Sequence, residues 1–223
     1  MKVILMSLFL FSCIVLSQEN KKMNVAIFIY DNVEILDFAG PSEVFASTWV
    51  ENDHPINVYT VAAKDKPILS QGFITITPQY TIKNCPKPDI IVLPGGGVLK
   101  SVENEEVIQW VEKCSESADI LLSVCTGARL LSKAGLLDNK EATTWYGAIE
   151  SLREMTPKAI IHENTRFVDN GQIITTAGVS AGIDGALHVV RRMFGEDAAL
   201  RVAKYMEYDK WNPEDGLIVS NKD

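Results

Sequence analysis

Residues 119–127 read DILLSVCTG. Residues 120–124 are a short run, apolar but for Ser123, the pattern of a strand buried on both faces rather than one that alternates. Cys125-Thr126-Gly127 follows at once, and residues 128–134 then suit a helix. The same strand-then-helix unit recurs outward from this point. Residues 24–30 (NVAIFIY), 56–63 (INVYTVAA) and 89–93 (DIIVL) read as further buried strands. A break at residues 37–41 leads into a helix from Pro41 to about Val50, because proline suits a first helical turn. Residues 69–80 turn around Gln71-Gly72 as a hairpin, and residues 104–117 form an amphipathic surface helix. Residues 143–156 suit a helix, 159–163 and 166–176 suit strands turning at Asp169-Asn170-Gly171, and 181–194 and 196–209 are helices split at Gly195. Alternation of this kind predicts an α/β fold in a single domain, a mostly parallel sheet flanked by helices on both faces.

Composition agrees. The 223 residues are 47% hydrophobic and 22% charged, enough apolar surface to exclude a disordered chain. The formal net charge is −8 and there is no basic block, so a phosphate backbone is repelled and no nucleic acid partner is expected.

The first residues stand apart. Lys2 precedes an uncharged apolar run of 14 residues, 3–16, and Ser17 supplies a small residue before Gln18. This three-part pattern predicts a signal peptide over residues 1–17 and an exported protein, periplasmic or secreted. The run is shorter than the roughly 20 residues that span a bilayer, so no stable membrane insertion is expected after cleavage. Cys13 follows Leu10-Phe11-Ser12, a loose lipoprotein-like setting, but the apolar run continues past it and argues against lipid anchoring there. Residues 23–209 form the expected domain and 210–223 a polar, loose tail. Of the four cysteines, cleavage removes Cys13 and leaves Cys85, Cys114 and Cys125. An odd number leaves at least one free thiol in a single exported chain. Cys85, in a loop, and Cys114, on a surface helix, read as incidental.

In such a sheet the ligand crevice lies beyond the carboxyl ends of the strands. Three elements end there. Cys125 sits at the apex of a strand-to-helix turn, like the nucleophile elbow of hydrolases with sulfur in place of oxygen. The adjoining helix N-terminus favours a thiolate. The other reading is a small apolar cysteine closing a strand. Gly95 and Gly96, in PGGG at residues 94–97, leave backbone N–H groups able to hold developing negative charge, or form an ordinary turn. Asp37 lies among Ile35, Leu36, Phe38 and Ala39, a setting that raises a carboxyl pKa and helps it keep a proton; it also reads as a capping aspartate. The small-residue turn at residues 178–184 either approaches the Cys125 elbow or serves tight helix packing. The histidines, His54, His162 and His188, have no spacing that points to a metal, and none neighbours Cys125 in sequence.

Taken in order, residues 33–41 (VEILDFAGP), 89–96 (DIIVLPGG), 123–127 (SVCTG), 134–137 (AGLL), 142–144 (ATT) and 176–186 (TAGVSAGIDGA) resemble the PfpI/ThiJ superfamily. The likeness covers residues 23–209 and is nearest to isocyanide hydratases and to the ligand domains of AraC-type regulators. It implies a flavodoxin-like fold of the class I glutamine amidotransferase type and a cofactor-free site. In that site Cys125 is the nucleophile, Asp37 the acid beside it, Thr126 a supporting hydroxyl, and Gly95 and Gly96 backbone donors. It also implies a small-molecule substrate, no metal, and a homodimer. The proteolytic branch carries histidine directly after the cysteine, where this chain has Thr126, so a peptidase is not expected. Hydratase-like members often read Thr-Thr-His, where this chain reads Thr143-Thr144-Trp145. The resemblance therefore implies a hydratase-like lyase, or a related cysteine hydrolase or glyoxalase activity. The alternative is an exported ligand-binding or redox-responsive module of the same fold.

Overall fold

The continuous apolar runs become the centre of one sheet, because a strand with no polar face has to be covered on both sides. The computed structural model describes residues 22–51 and 53–220. The expected signal peptide, residues 1–17, and Cys13 within it lie outside the described residues. In chain order the elements are β1 (Met23–Phe28), α1 (Ile35–Ala46), β2 (Ile56–Ala62), β3 (Ile68–Ser70), β4 (Ile74–Ile76), β5 (Tyr80–Thr81) and β6 (Ile90–Leu93). Then come α2 (Leu99–Val102), α3 (Glu105–Ser115), β7 (Ile120–Ser123), a single tight turn of helix at Cys125–Gly127, and α4 (Ala128–Lys133). The chain continues through β8 (Glu141–Ala142), α5 (Ile149–Met155), β9 (Ile160–Ile161), β10 (Phe167–Asp169), β11 (Ile173–Thr176), α6 (Ala181–Phe194), α7 (Glu196–Tyr205) and β12 (Gly216–Ile218).

The main sheet has eight strands in the order β12-β10-β11-β7-β6-β1-β2-β5. Every neighbouring pair is parallel except β10 with β11, which turn back on each other at Asp169-Asn170-Gly171 as expected. Helices α1, α6 and α7 pack together in one layer, and α2 to α5 in the other. The helices form where pattern and caps agree. In α3 the Asn104 side chain accepts from Glu106 N–H at 3.1 Å, and Glu105 and Glu106 favour the positive end of the helix. Its apolar stripe, Val107, Ile108, Trp110, Val111 and Cys114, is buried, at about 1.5–3 kcal/mol for each large side chain.

Three sequence expectations are corrected. The helix expected from Pro41 begins at Ile35, so Pro41 is internal and Asp37 lies in the first turn rather than in a loop. Because proline has no N–H, the Asp37 carbonyl loses its helical partner. The helix expected from residue 143 begins only after Trp145, because Thr143 and Thr144 spend their hydroxyls on the neighbouring backbone: Thr143 Oγ1 donates to His162 O at 2.9 Å and Thr144 Oγ1 to Cys125 O at 2.7 Å. The tail from residue 210 is not loose throughout. Its short apolar stretch, Gly216–Ile218, joins the sheet as β12 beside β10, and Val219 N–H donates to Asp169 O at 2.9 Å.

Chain reversal locates the crevice. From β1 the chain passes through α1 to β2 on one side, then returns to β6 on the other. Elements therefore diverge at the carboxyl ends of β1 and β6, where α/β sheets hold their ligands.

Candidate active site

Register brings the pieces together. Ser123 is paired with Leu93 on one side and Thr175 on the other, so the residues after β6, β7 and β11 emerge at one level. These are Pro94-Gly95-Gly96, Val124-Cys125 and Ala177-Gly178-Val179. Asp37 arrives from the first turn of α1.

Cys125 has φ 57, in the left-handed region that L-residues rarely adopt. Such a conformation costs roughly 1–3 kcal/mol and persists only when its surroundings over-determine it. Here both backbone groups are held: Cys125 N–H donates to Ala177 O at 3.1 Å, and its carbonyl accepts from Thr144 Oγ1. Close approach completes the elbow. A β-carbon on Gly127 would lie 1.8 Å from Leu93 O, so only glycine lets the turn pass β6.

Asp37 is fully buried. Its Oδ2 accepts from Gly95 N–H at 2.8 Å, while Oδ1 has no hydrogen-bond partner among the described residues. Burial pushes its pKa from 3.8 to about 7, with the nearby Glu34 charge adding. The Gly95 N–H, the Cys125 thiol and the Val179 N–H offset part of this. Burial also pushes the Cys125 thiol up, to about 12, and the Asp37 charge adds to it. The Thr126 and Val179 N–H groups favour the thiolate, but by less. The expectation that a helix N-terminus lowers this thiol is thus corrected: desolvation and a facing carboxylate outweigh it. Two adjacent negative charges in a dry site oppose each other, so a thiolate forms here only against a protonated Asp37.

Gly95 and Gly96 also take a different part from the one expected. Their N–H groups are occupied within the protein, Gly95 by Asp37 and Gly96 by Thr126 Oγ1 at 3.1 Å. They position the acid and the hydroxyl instead of facing a substrate. A β-carbon on Gly95 would come within 2.6 Å of Thr126 N and 2.9 Å of Asp37 Oδ2, so glycine is required for this approach. Thr126 is buried with its hydroxyl against the Gly96 backbone.

Several site residues escaped the sequence reading. Tyr30 OH donates to Pro94 O and Gly95 O, both at 2.7 Å, and Glu34 N–H donates to Gly95 O at 3.0 Å, fixing the glycine loop. Val179 has φ 55, strained for a β-branched residue, and turns its N–H toward both Asp37 and Cys125. The small-residue turn at residues 178–184 was the one signal for it. Both of its readings are found: Val179 approaches the elbow, and a β-carbon on Gly182 would lie 2.8 Å from Val124, so α6 also packs tightly there. Trp145 packs on Gly178 and against Tyr146, with ring centroids 4.9 Å apart. A cavity of about 430 Å³ lies beside the elbow, lined by Thr143, Thr144, Tyr146, Arg166 and Ala177 among others. The histidines are engaged elsewhere: His54 packs against Trp49 with the rings tilted by 56°, His162 Nε2 meets Glu141 at 2.6 Å, and His188 Nε2 meets Asp169 at 2.7 Å.

A parallel α/β sheet with a strained cysteine elbow, and a buried carboxyl group in place of a histidine partner, defines a class of small cysteine-centred α/β proteins. Within that class the chain belongs to the DJ-1/PfpI family, whose model matches residues 23–192. It is 31% identical over 194 residues to an isonitrile hydratase of Pseudomonas putida, covering 86% of this chain and 82% of that protein. It is 22% identical to the HTH-type transcriptional regulator GbdR of Pseudomonas aeruginosa, covering 86% of this chain but only 53% of the regulator. Among solved structures, a THiJ/PfpI family protein from Pseudomonas syringae aligns with TM-score 0.77 and 29% identity, over 86% of this chain and 77% of that one.

Proposed function

We propose that the protein is a cofactor-free cysteine enzyme that adds water to a small isocyanide, giving an N-substituted formamide. The observation that carries this reading is the Asp37–Cys125 pair. A buried carboxyl group with one orphan oxygen lies against the sulfur, and an orphan oxygen costs least when it holds the proton. The likeness to isonitrile hydratase supports the choice of substrate class.

In the first step the Cys125 sulfur bonds to the terminal isocyanide carbon while Asp37 delivers a proton to that same carbon, forming a thioimidate. Asp37, now a carboxylate, takes a proton from water as the hydroxyl adds to the carbon, and passes it to nitrogen. It then removes the hydroxyl proton as the carbon–sulfur bond breaks. Formamide leaves, and the thiolate and carboxylic acid are restored. The strained elbow keeps the sulfur at the crevice, and Val179 N–H supports its charge. The decisive experiment is a turnover screen of small isocyanides, amides and glyoxals with the wild type and Cys125→Ala. Saturable binding without turnover of any of them would favour a ligand-binding module, the reading that the regulators' shared domain supports.

A pH dependence follows from the raised Asp37. With Cys125 pushed up to about 12 and Asp37 to about 7, both groups hold a proton below about pH 7 and the pair holds one above it. The reactive thiolate–acid form is a tautomer of that one-proton state, so activity is expected to fall about tenfold per pH unit below about pH 7 and to level off above it. A profile of kcat/KM flat from about pH 5 to about pH 8 would remove Asp37 from the acid role.

We also propose export, with the mature chain beginning at Gln18, and the homodimer implied by the family resemblance. The intact mass of protein from the native cell tests export: a chain retaining residues 1–17 overturns it.

A further inference from the structure

Cys85 and Cys114 lie outside the Asp37–Cys125 site, and the chemistry proposed there uses neither. The segment after β5 is laid along α3 by two anchors. Lys83 Nζ donates to Glu106 Oε1 at 2.8 Å. Tyr59 OH, from β2, donates to Pro86 O at 2.7 Å. Between these anchors Cys85 is half-buried, with its sulfur against the Trp110 indole. Glu106, Trp110 and Cys114 are spaced four residues apart on α3, so they form one stripe along the helix. Lys83 meets the first member of that stripe and Cys85 the second, and Cys114 stands one turn further on. Cys114 is buried in the same apolar cluster on which Cys85 packs. Burial pushes the Cys114 thiol up to about 12, and Cys85 is near enough to add to it. Both sulfurs also bear on the Tyr59 phenol.

We propose that Cys85 and Cys114 are a disulfide-forming pair, a cross-link that fastens the segment after β5 to α3. Both are thiols in this structure. Closing the link needs a disulfide donor, either oxidised glutathione or the exposed disulfide of a thiol oxidase. The thiolate of Cys85, the more accessible partner, attacks one donor sulfur and releases a donor thiol. The thiolate of Cys114 then attacks Cys85 sulfur and releases the second. Two protein thiols lose two electrons and two protons, and the donor disulfide gains them. The raised thiol of Cys114 makes the second step slow in the folded chain. The bond spans β6 and α2, and so braces the strand that leads into Pro94-Gly95-Gly96. It also answers the cysteine arithmetic, since Cys85, Cys114 and Cys125 are the cysteines among the described residues and pairing two leaves Cys125 as the free thiol.

The test uses the full chain incubated with oxidised glutathione at about pH 8.5, blocked with N-ethylmaleimide and digested without reduction. The expected result is a linked peptide pair containing Cys85 and Cys114, lighter by about 2 Da than the two reduced peptides together, with Cys125 alkylated. Oxidation is expected to raise Tm by roughly 5–10 °C in the wild type and not in Cys85→Ser. Alkylation of Cys85 and Cys114 after exhaustive oxidation, stable glutathione adducts on them, or linkage of either one to Cys13 or Cys125 would overturn the proposal. These readouts are masses and melting points, so a failure of the hydratase reading leaves them untouched.

Discussion

Cys125→Ser is expected to lower kcat/KM for a small isocyanide by about 10³-fold or more while leaving Tm within a few degrees of the wild type. Serine fits the elbow, because the turn is held by backbone partners, Ala177 O and Thr144 Oγ1, that do not touch the side chain. The loss is chemical. A hydroxyl is far less acidic than a thiol, and the same burial that pushes the thiol up to about 12 acts against an alkoxide. Hydrolases with a serine at this position rely on a histidine base. Here the described histidines pair with Trp49, Glu141 and Asp169 instead. Turnover within a few-fold of wild type would mean that sulfur is not the nucleophile and would overturn the covalent mechanism.

The second large effect is at Asp37. Asp37→Asn keeps an oxygen to accept from Gly95 N–H and loses the transferable proton, so activity is expected to fall about 10²–10⁴-fold. Combined with Cys125→Ser, the two losses should be far from additive, since the groups act in one step. Stability should move the other way. The pKa of Asp37 rises from 3.8 to about 7 on folding, so between those values the folded chain binds more protons than the unfolded one. Wild-type stability therefore falls as pH rises through that window, by roughly 2–4 kcal/mol, and Asp37→Asn is free of that cost. Urea unfolding at about pH 4.5 and pH 7.5 should show the variant gaining on the wild type at the higher pH. An activity loss that instead tracks a lower Tm at both pH values would make Asp37 a structural residue of the first turn of α1.

Much of this was legible in the chain. The runs at residues 24–30, 89–93 and 119–124 carry no polar face, and continuous burial leaves few arrangements other than the middle of a parallel sheet. The turns at Gln71-Gly72 and Asp169-Asn170-Gly171 appear as expected, with positive φ at Gln71, Gly72 and Gly171. Elements decided by long-range partners were not legible. Helix α1 begins ahead of its proline because the chain is fastened there by a bridge between Val33 and Gly96 and by Glu34 N–H on Gly95 O. The strand β12 looked like polar tail because a short edge strand draws its stability from the neighbour it pairs with.

By itself, then, the sequence determined the layered α/β architecture, the cysteine at a strand-to-helix apex, and the presence of Asp37 and the glycine loop at other strand ends. These are local properties of period, turn chemistry and residue type. Only the tertiary structure decided their chemistry. It turned the Gly95 and Gly96 donors inward onto Asp37 and Thr126, brought the Val179 N–H across from the turn after β11, and shut Asp37 away from water. The physical reason is that protonation and hydrogen bonding at a buried site depend on which groups meet there and how much water is excluded. Both are set by segments far apart in the chain.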